Sequence, residues 1–151
     1  MQQLQAQSSV HLVHGDLRIL FPRLKDDSID LVLTDPPYTR AGVPLFGDLG
    51  RESARVLKPG GPLLAYTGHM FLPEILPSVS QHVPYFWTLC LLFSSAYRQR
   101  HTGIHTCSNM IGVFYKPPRP IWPPGLLDVV VGSPAKEKDL HEWQKPLPEV
   151  K

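Results

Sequence analysis

The chain has 151 residues, of which 42% are hydrophobic and 19% charged, a balance that excludes a disordered segment and suits one globular domain spanning 1–151. Its 15 Lys and Arg against 13 Asp and Glu leave a formal net charge of +2, compatible with a nucleic-acid partner but too small to argue for one. The start, "MQQLQAQSSV", lacks the plan of a secretory signal, the longest apolar run, "FWTLCLLF", is too short to span a membrane, and Cys90 and Cys107 read as reduced thiols of a cytoplasmic protein.

In chain order, Val10 to His14 reads as a short strand that ends at Gly15 and Asp16. "LRILFPRL" reads as a short helix interrupted by Pro22. Ile29 to Thr34 has the continuous branched apolar character of a strand buried on both faces. Leu45, Leu49, Ala54, Val56 and Leu57 fall near helical spacing, and "KPGG" at 58–61 stops that helix. "PLLAYTG" is the next strand, and "FLPEILPSVSQ" is a helical segment broken by proline. "YFWTLCLLFSS" and "NMIGVFYKP" are two further strands with no helix between them, expected to pair as a hairpin across the polar connection 96–108. The 17 prolines cluster in "PPRPIWPP", so 117–135 is expected to be an irregular loop. Strands alternating with helices predict an α/β domain with a mostly parallel sheet and a terminal hairpin.

The chemistry concentrates in "SIDLVLTDPPYTR". Ligands of open α/β sheets bind beyond the carboxyl ends of the strands, and Asp35 falls there. Pro36 and Pro37 remove two backbone donors and fix two φ angles, leaving a stiff loop rich in acceptors. Such a loop suits a ligand that presents hydrogen-bond donors, an exocyclic amine above all. Asp35 would accept one proton, the Pro36 carbonyl the other, and Tyr38 would stack on the attached ring.

"DPPY" after an apolar strand resembles the catalytic motif of S-adenosylmethionine-dependent amino-methyltransferases, which act on N6 of adenine or N4 of cytosine, mostly in DNA. "VHGDLRILFPRLKDDSIDLVLTDPPY" and "LFGDLGRESARVLKPGGPLLAYTG" resemble the family along their length, and "LHEWQKPLPEV" is similar to a segment of members with permuted motif order. The resemblance implies a Rossmann-like fold, S-adenosylmethionine as cofactor and DNA as partner, in a compact enzyme of a bacterium or phage, with restriction–modification as one setting. It implies catalytic roles for Asp35, Pro36, Pro37 and Tyr38. It implies cofactor contacts for Asp16, Asp35, His141, Gln144, Lys145 and Pro146, with a turn Asp and a solvated tail as the plainer readings of Asp16 and of the last four. Arg40, Arg98, Arg100 and His101 would suit DNA phosphates, although an ordinary exposed loop explains 97–108 as well. His101, His105 and Cys107 have only loosely metal-like spacing, so no metal is expected.

One part of the pattern is missing. The family carries a glycine-rich cofactor loop, and neither "LFGDLG", "KPGG" nor "VVVGSP" fits it. In permuted members that loop, and two central strands between the strands at 10–14 and 29–34, follow the Gln-Lys-Pro segment. The expectation is therefore an incomplete methyltransferase fold: the front portion of a longer methyltransferase or a reduced homologue, which another chain or a dimer partner could complete. The alternatives are a non-catalytic module that binds DNA or a partner, one half of a split enzyme, or methylation of a protein or RNA amine. The motif serves adenine and cytosine enzymes alike.

Overall fold

A computed structural model of the chain describes residues 10–99 and 102–131. A short helix, α1 (Leu17–Leu20), runs into a 3-10 turn at Phe21–Arg23. Strand β1 (Val32–Thr34), helix α2 (Val43–Val56), strand β2 (Pro62–Tyr66) and helix α3 (Leu72–Ser80) follow. Strands β3 (Tyr85–Arg98), β4 (His105–Tyr115) and β5 (Val129–Val131) complete the described elements. The strands form one sheet in the order β1-β2-β4-β3-β5. β1 is parallel to β2 and β5 to β3, whereas β4 is antiparallel to both of its neighbours. Only β4 among these strands opposes the common direction, as a mostly parallel sheet with a hairpin requires.

The two faces of the sheet are covered differently. On β2, Leu63 and Ala65 join Val32 and Phe114 beneath α2 and α3, which contribute Phe46, Leu49, Val56, Ile75 and Val79. The alternate residues Leu64 and Tyr66 face the other way, into a smaller cluster with Leu91, Ile111 and Tyr38. This is the period-2 alternation of a strand. The buried positions of α2 recur every three or four residues, from Phe46 through Leu49 and Ser53 to Val56. The helix ends as Leu57 turns extended, and Gly60 (φ +81°) takes the left-handed conformation of the stop.

Several expectations give way. Residues 10–14 form no strand; Val10 is 91% and Leu12 97% exposed, and no strand among the described residues pairs with them. A strand needs a hydrogen-bonded neighbour, and the next strand in the chain, β1, pairs instead with β2. Among the described strands β1 lies at an edge, and it is not buried on both faces: Val32 is buried against the helices, but Leu33 on the other face is 49% exposed. The helix over 72–80 is continuous through Pro77. The donor that Pro77 lacks would have served Pro73, an exposed first-turn residue whose carbonyl water can satisfy. The connection 96–108 is mostly strand, because β3 and β4 stay paired as far as Arg98 and His105.

The proline-rich stretch 117–124 is irregular, as expected, but fixed. Trp122 stacks on Phe86 at 5.6 Å between centroids, and the Arg119 guanidinium lies 4.8 Å from the same ring. β5 lies within the stretch expected to be loop. The Asp128 carbonyl accepts from the Cys90 amide at 2.7 Å and its carboxylate from Trp87 Nε1 at 3.1 Å, and these bonds set the strand's register.

Phe114 is fully buried, edge-on to Tyr85 at 5.9 Å. Phe114→Ala should cost about 3–5 kcal/mol, read as a lower urea midpoint with the slope unchanged.

Candidate active site

The loop after β1 is closed tightly by the start of α2. Pro36 is buried, Asp35 and Pro37 are exposed, and Tyr38 is half-buried. Thr39 caps the 3-10 turn Arg40–Gly42, its Oγ1 accepting from the Gly42 amide at 3.1 Å. A Cβ at position 42 would come within 2.2 Å of the Pro37 carbonyl oxygen, so only glycine allows this closure. The Tyr38 hydroxyl donates to Asp35 Oδ1, and the Tyr38 ring packs against the smaller cluster on the open face of the sheet. The expected clamp and the expected platform are thus joined: the tyrosine hydroxyl sits on the Asp35 carboxylate.

Arg40 turns toward α3. Its Nη1 is paired with the carboxylate of Glu74, and its guanidinium lies 5.4 Å from the Phe71 ring. Arg98 is exposed at the end of β3, opposite His105. Arg100, His101, His141, Gln144, Lys145 and Pro146 lie outside the described residues. The glycines of "LFGDLG" serve packing. A Cβ at Gly50 would lie 3.1 Å from Val79 Cα, and one at Gly47 3.0 Å from Ser78 Oγ, so both form the notch where α2 meets α3. That agrees with excluding this stretch as a cofactor loop.

Asp16 is the N-cap of α1. Its Oδ1 accepts from the Arg18 amide (2.8 Å) and Arg18 Nε (3.0 Å), and Oδ2 from Arg18 Nη2 (2.6 Å). A carboxylate offers about four acceptor positions, so among the described residues one on Oδ2 stays open. The Arg18 side-chain bonds, and after them its amide, pull the Asp16 carboxyl from its ordinary 3.8 down to about 2. Arg18 is correspondingly raised.

Sequence reasoning reached the acceptor loop but missed its supports: Gly42, Glu74 with Phe71, and the turn after β2. A glycine four residues past the tyrosine, ahead of an amphipathic helix, was the available signal for Gly42. Nothing local marks Glu74, which is brought in by helix packing.

No family model matches the chain. Over 61 residues it is 38% identical to the uncharacterised protein MJ1233 of Methanocaldococcus jannaschii, a match covering 40% of this chain and 21% of that protein. Among solved structures, PvuII DNA methyltransferase (cytosine-N4-specific) superposes with a TM-score of 0.62 at 19% identity, covering 80% of this chain and 57% of that one. The S-adenosyl-L-methionine complex of TTHA0409, a putative DNA modification methylase from Thermus thermophilus, gives 0.59 at 20%, covering 74% and 55%. The chain spans about a fifth of the curated relative and little more than half of each solved structure. At these identities the likeness is one of fold. The described residues carry part of the Rossmann-like fold of these methyltransferase structures.

Because the Asp16 pKa is depressed, its contribution to the cap is complete above pH 3.8 and disappears as pH falls through about 2. The Arg18 amide resonance should follow that low midpoint in an NMR titration and lose the transition in Asp16→Asn.

Proposed function

We propose that this chain takes part in S-adenosylmethionine-dependent methylation of an exocyclic amino group, N6 of adenine or N4 of cytosine, in DNA. The observation that carries this reading is the rigid acceptor loop Asp35–Tyr38 at the carboxyl end of β1, on a sheet of methyltransferase topology. Asp35 and the Pro36 carbonyl accept hydrogen bonds from the two N–H groups of the amine. That draws the nitrogen toward a pyramidal shape and localises its lone pair, which the ring otherwise withdraws. The Tyr38 hydroxyl leaves Asp35 as the amine arrives, and its ring stacks on the base, which a duplex must first release. Asp35 then eases loss of the surplus proton. The work of the chain is orientation and electrostatics, with no covalent intermediate.

The residues present suit the cationic end of S-adenosylmethionine: an exposed carboxylate beside two prolines that offer no amide donor. When bound, that cofactor supplies an electrophilic methyl group. Asp35 and the open position on Asp16 would contact it, with His141, Gln144, Lys145 and Pro146 as further contacts. Arg40, Arg98, Arg100 and His101 would meet DNA phosphates, Arg40 by exchanging Glu74 for phosphate.

A second reading is a module that keeps the base pocket without turnover, or one half of a split enzyme. It is favoured by the unpaired edge of β1 among the described strands and by the glycines of α2 being taken up in helix packing. Calorimetric titration of S-adenosylhomocysteine into the chain separates the two. Micromolar binding lost in Asp35→Ala supports the enzyme; a folded chain without binding supports the second reading.

In a radiolabelled methyl-transfer assay on mixed DNA, Asp35→Ala should lower incorporation on the order of 100-fold or more. Tyr38→Phe, which keeps the ring, should retain far more activity than Tyr38→Ala. Equal losses in the two tyrosine variants would argue against the stacking role.

A further inference from the structure

Within the DPPY motif Asp35 holds the hydroxyl of the aromatic ring. Outside it, the ring lies against Gly68, in the turn Thr67-Gly68-His69 that follows β2. Gly68 has φ +62°, in the left-handed region that favours glycine. A Cβ there would lie 3.2 Å from Tyr38 Cγ, 3.3 Å from its Cβ and 3.5 Å from Cδ2. The ring therefore rests on the bare backbone of residue 68, at a distance that leaves no slack for a side chain.

The turn itself is tied down. The Thr67 amide donates to the Met110 carbonyl at 3.0 Å, and Thr67 Oγ1 donates to the same carbonyl at 3.3 Å. His69 Nε2 lies 2.9 Å from the Ser108 carbonyl. A carbonyl can only accept, so Nε2 carries the proton and donates. The Thr106 hydroxyl is 3.4 Å from that nitrogen. All these partners belong to β4, the neighbour of β2 in the sheet, so the turn cannot withdraw without breaking the sheet's own connections. At its far end the ring is held by its hydroxyl, which donates to Asp35 Oδ1.

We infer that the Thr67–His69 turn is the positioning element for the aromatic platform, with Gly68 as the residue that sets the ring's plane and His69 as the tether that fixes the turn to β4. The inference rests on the reading of Asp35–Tyr38 as a base pocket and adds the residues that hold its ring. Both act through Tyr38. The consequence is a coupling: a change at 68 or 69 matters to the base only while the ring is present.

The test uses the full chain and a single-stranded oligonucleotide containing 2-aminopurine, whose emission drops when the base stacks on an aromatic ring. Tyr38→Ala should weaken binding about 5- to 150-fold, the span expected for losing one base–aromatic stack, and should abolish the drop in emission at saturation. Gly68→Ala should do the same while the far-ultraviolet circular dichroism is kept, and Gly68→Ala with Tyr38→Ala should be no worse than Tyr38→Ala alone. Should Gly68→Ala fail to fold, His69→Ala carries the same comparison, with a smaller loss that also vanishes without the ring. Gly68→Ala and His69→Ala indistinguishable from wild type would overturn the inference, as would losses that multiply with that of Tyr38→Ala. A wild-type chain that leaves the emission unchanged would refute the base-pocket reading itself, and the inference with it.

Discussion

The Pro37 carbonyl lies directly against the backbone of Gly42, where a Cβ would come within 2.2 Å of it. Through that contact the chain leaves β1, passes two residues that have no amide donor, and enters a core helix within a few residues. The two prolines restrict the loop from within, and Thr39 ties it to Gly42 with its side chain and carbonyl. α2 then anchors the far end, since Phe46 and Leu49 are buried one and two turns on. Asp35 is exposed yet held in place. A site that must orient a small amine needs that combination, because ordering a loose loop at the moment of binding would cost entropy.

The sheet divides the labour between its faces. The face beneath α2 and α3 holds the main core and gives the loop a rigid base. The other face holds the smaller cluster, and Tyr38 is part of it. The ring is therefore packed against β2 and its following turn while its hydroxyl reaches the carboxylate on β1's loop. The segment before β1 is fastened by Arg55 of α2. Its guanidinium meets the Phe21 and Leu24 carbonyls, Asp26 and Glu52, and the bond to Asp26 raises its pKa. That fan of contacts holds residues 21–26 against α2, where local propensity alone supports only one turn of α1.

Much of this was legible along the chain. The Asp-Pro-Pro-Tyr loop, the helix before Lys58-Pro-Gly-Gly, the strand after it and the hairpin at 85–115 all follow from periodicity and punctuation. The failures share a cause. Residues 10–14 have the composition of a strand, but a strand exists only with a neighbour, and composition does not name one. Leu33 is apolar enough for a central strand, yet the order of the described strands puts it on an edge. The residues 96–98 and 105–108 look like loop because they are polar, but a hairpin arm pairs through its backbone, which is indifferent to that polarity. Val129–Val131 is too short to announce itself and depends on Asp128 meeting Cys90 and Trp87.

What the sequence by itself determined is the make-up of the candidate site: a carboxylate, two prolines and an aromatic ring in a fixed order, placed after a strand by covalent connectivity. It also determined where the main helices stop, since proline and glycine act locally through φ and through missing donors. Tertiary structure decided which residues surround that site. Gly42, Gly68, His69 and Glu74 matter through contacts with atoms distant from them in the chain or made close by folding. A steric limit of a few tenths of an ångström between a glycine Cα and a ring, or between a glycine and a carbonyl, leaves no periodic trace in a sequence. It appears only when the strands have paired and the helices have been laid on one face of the sheet.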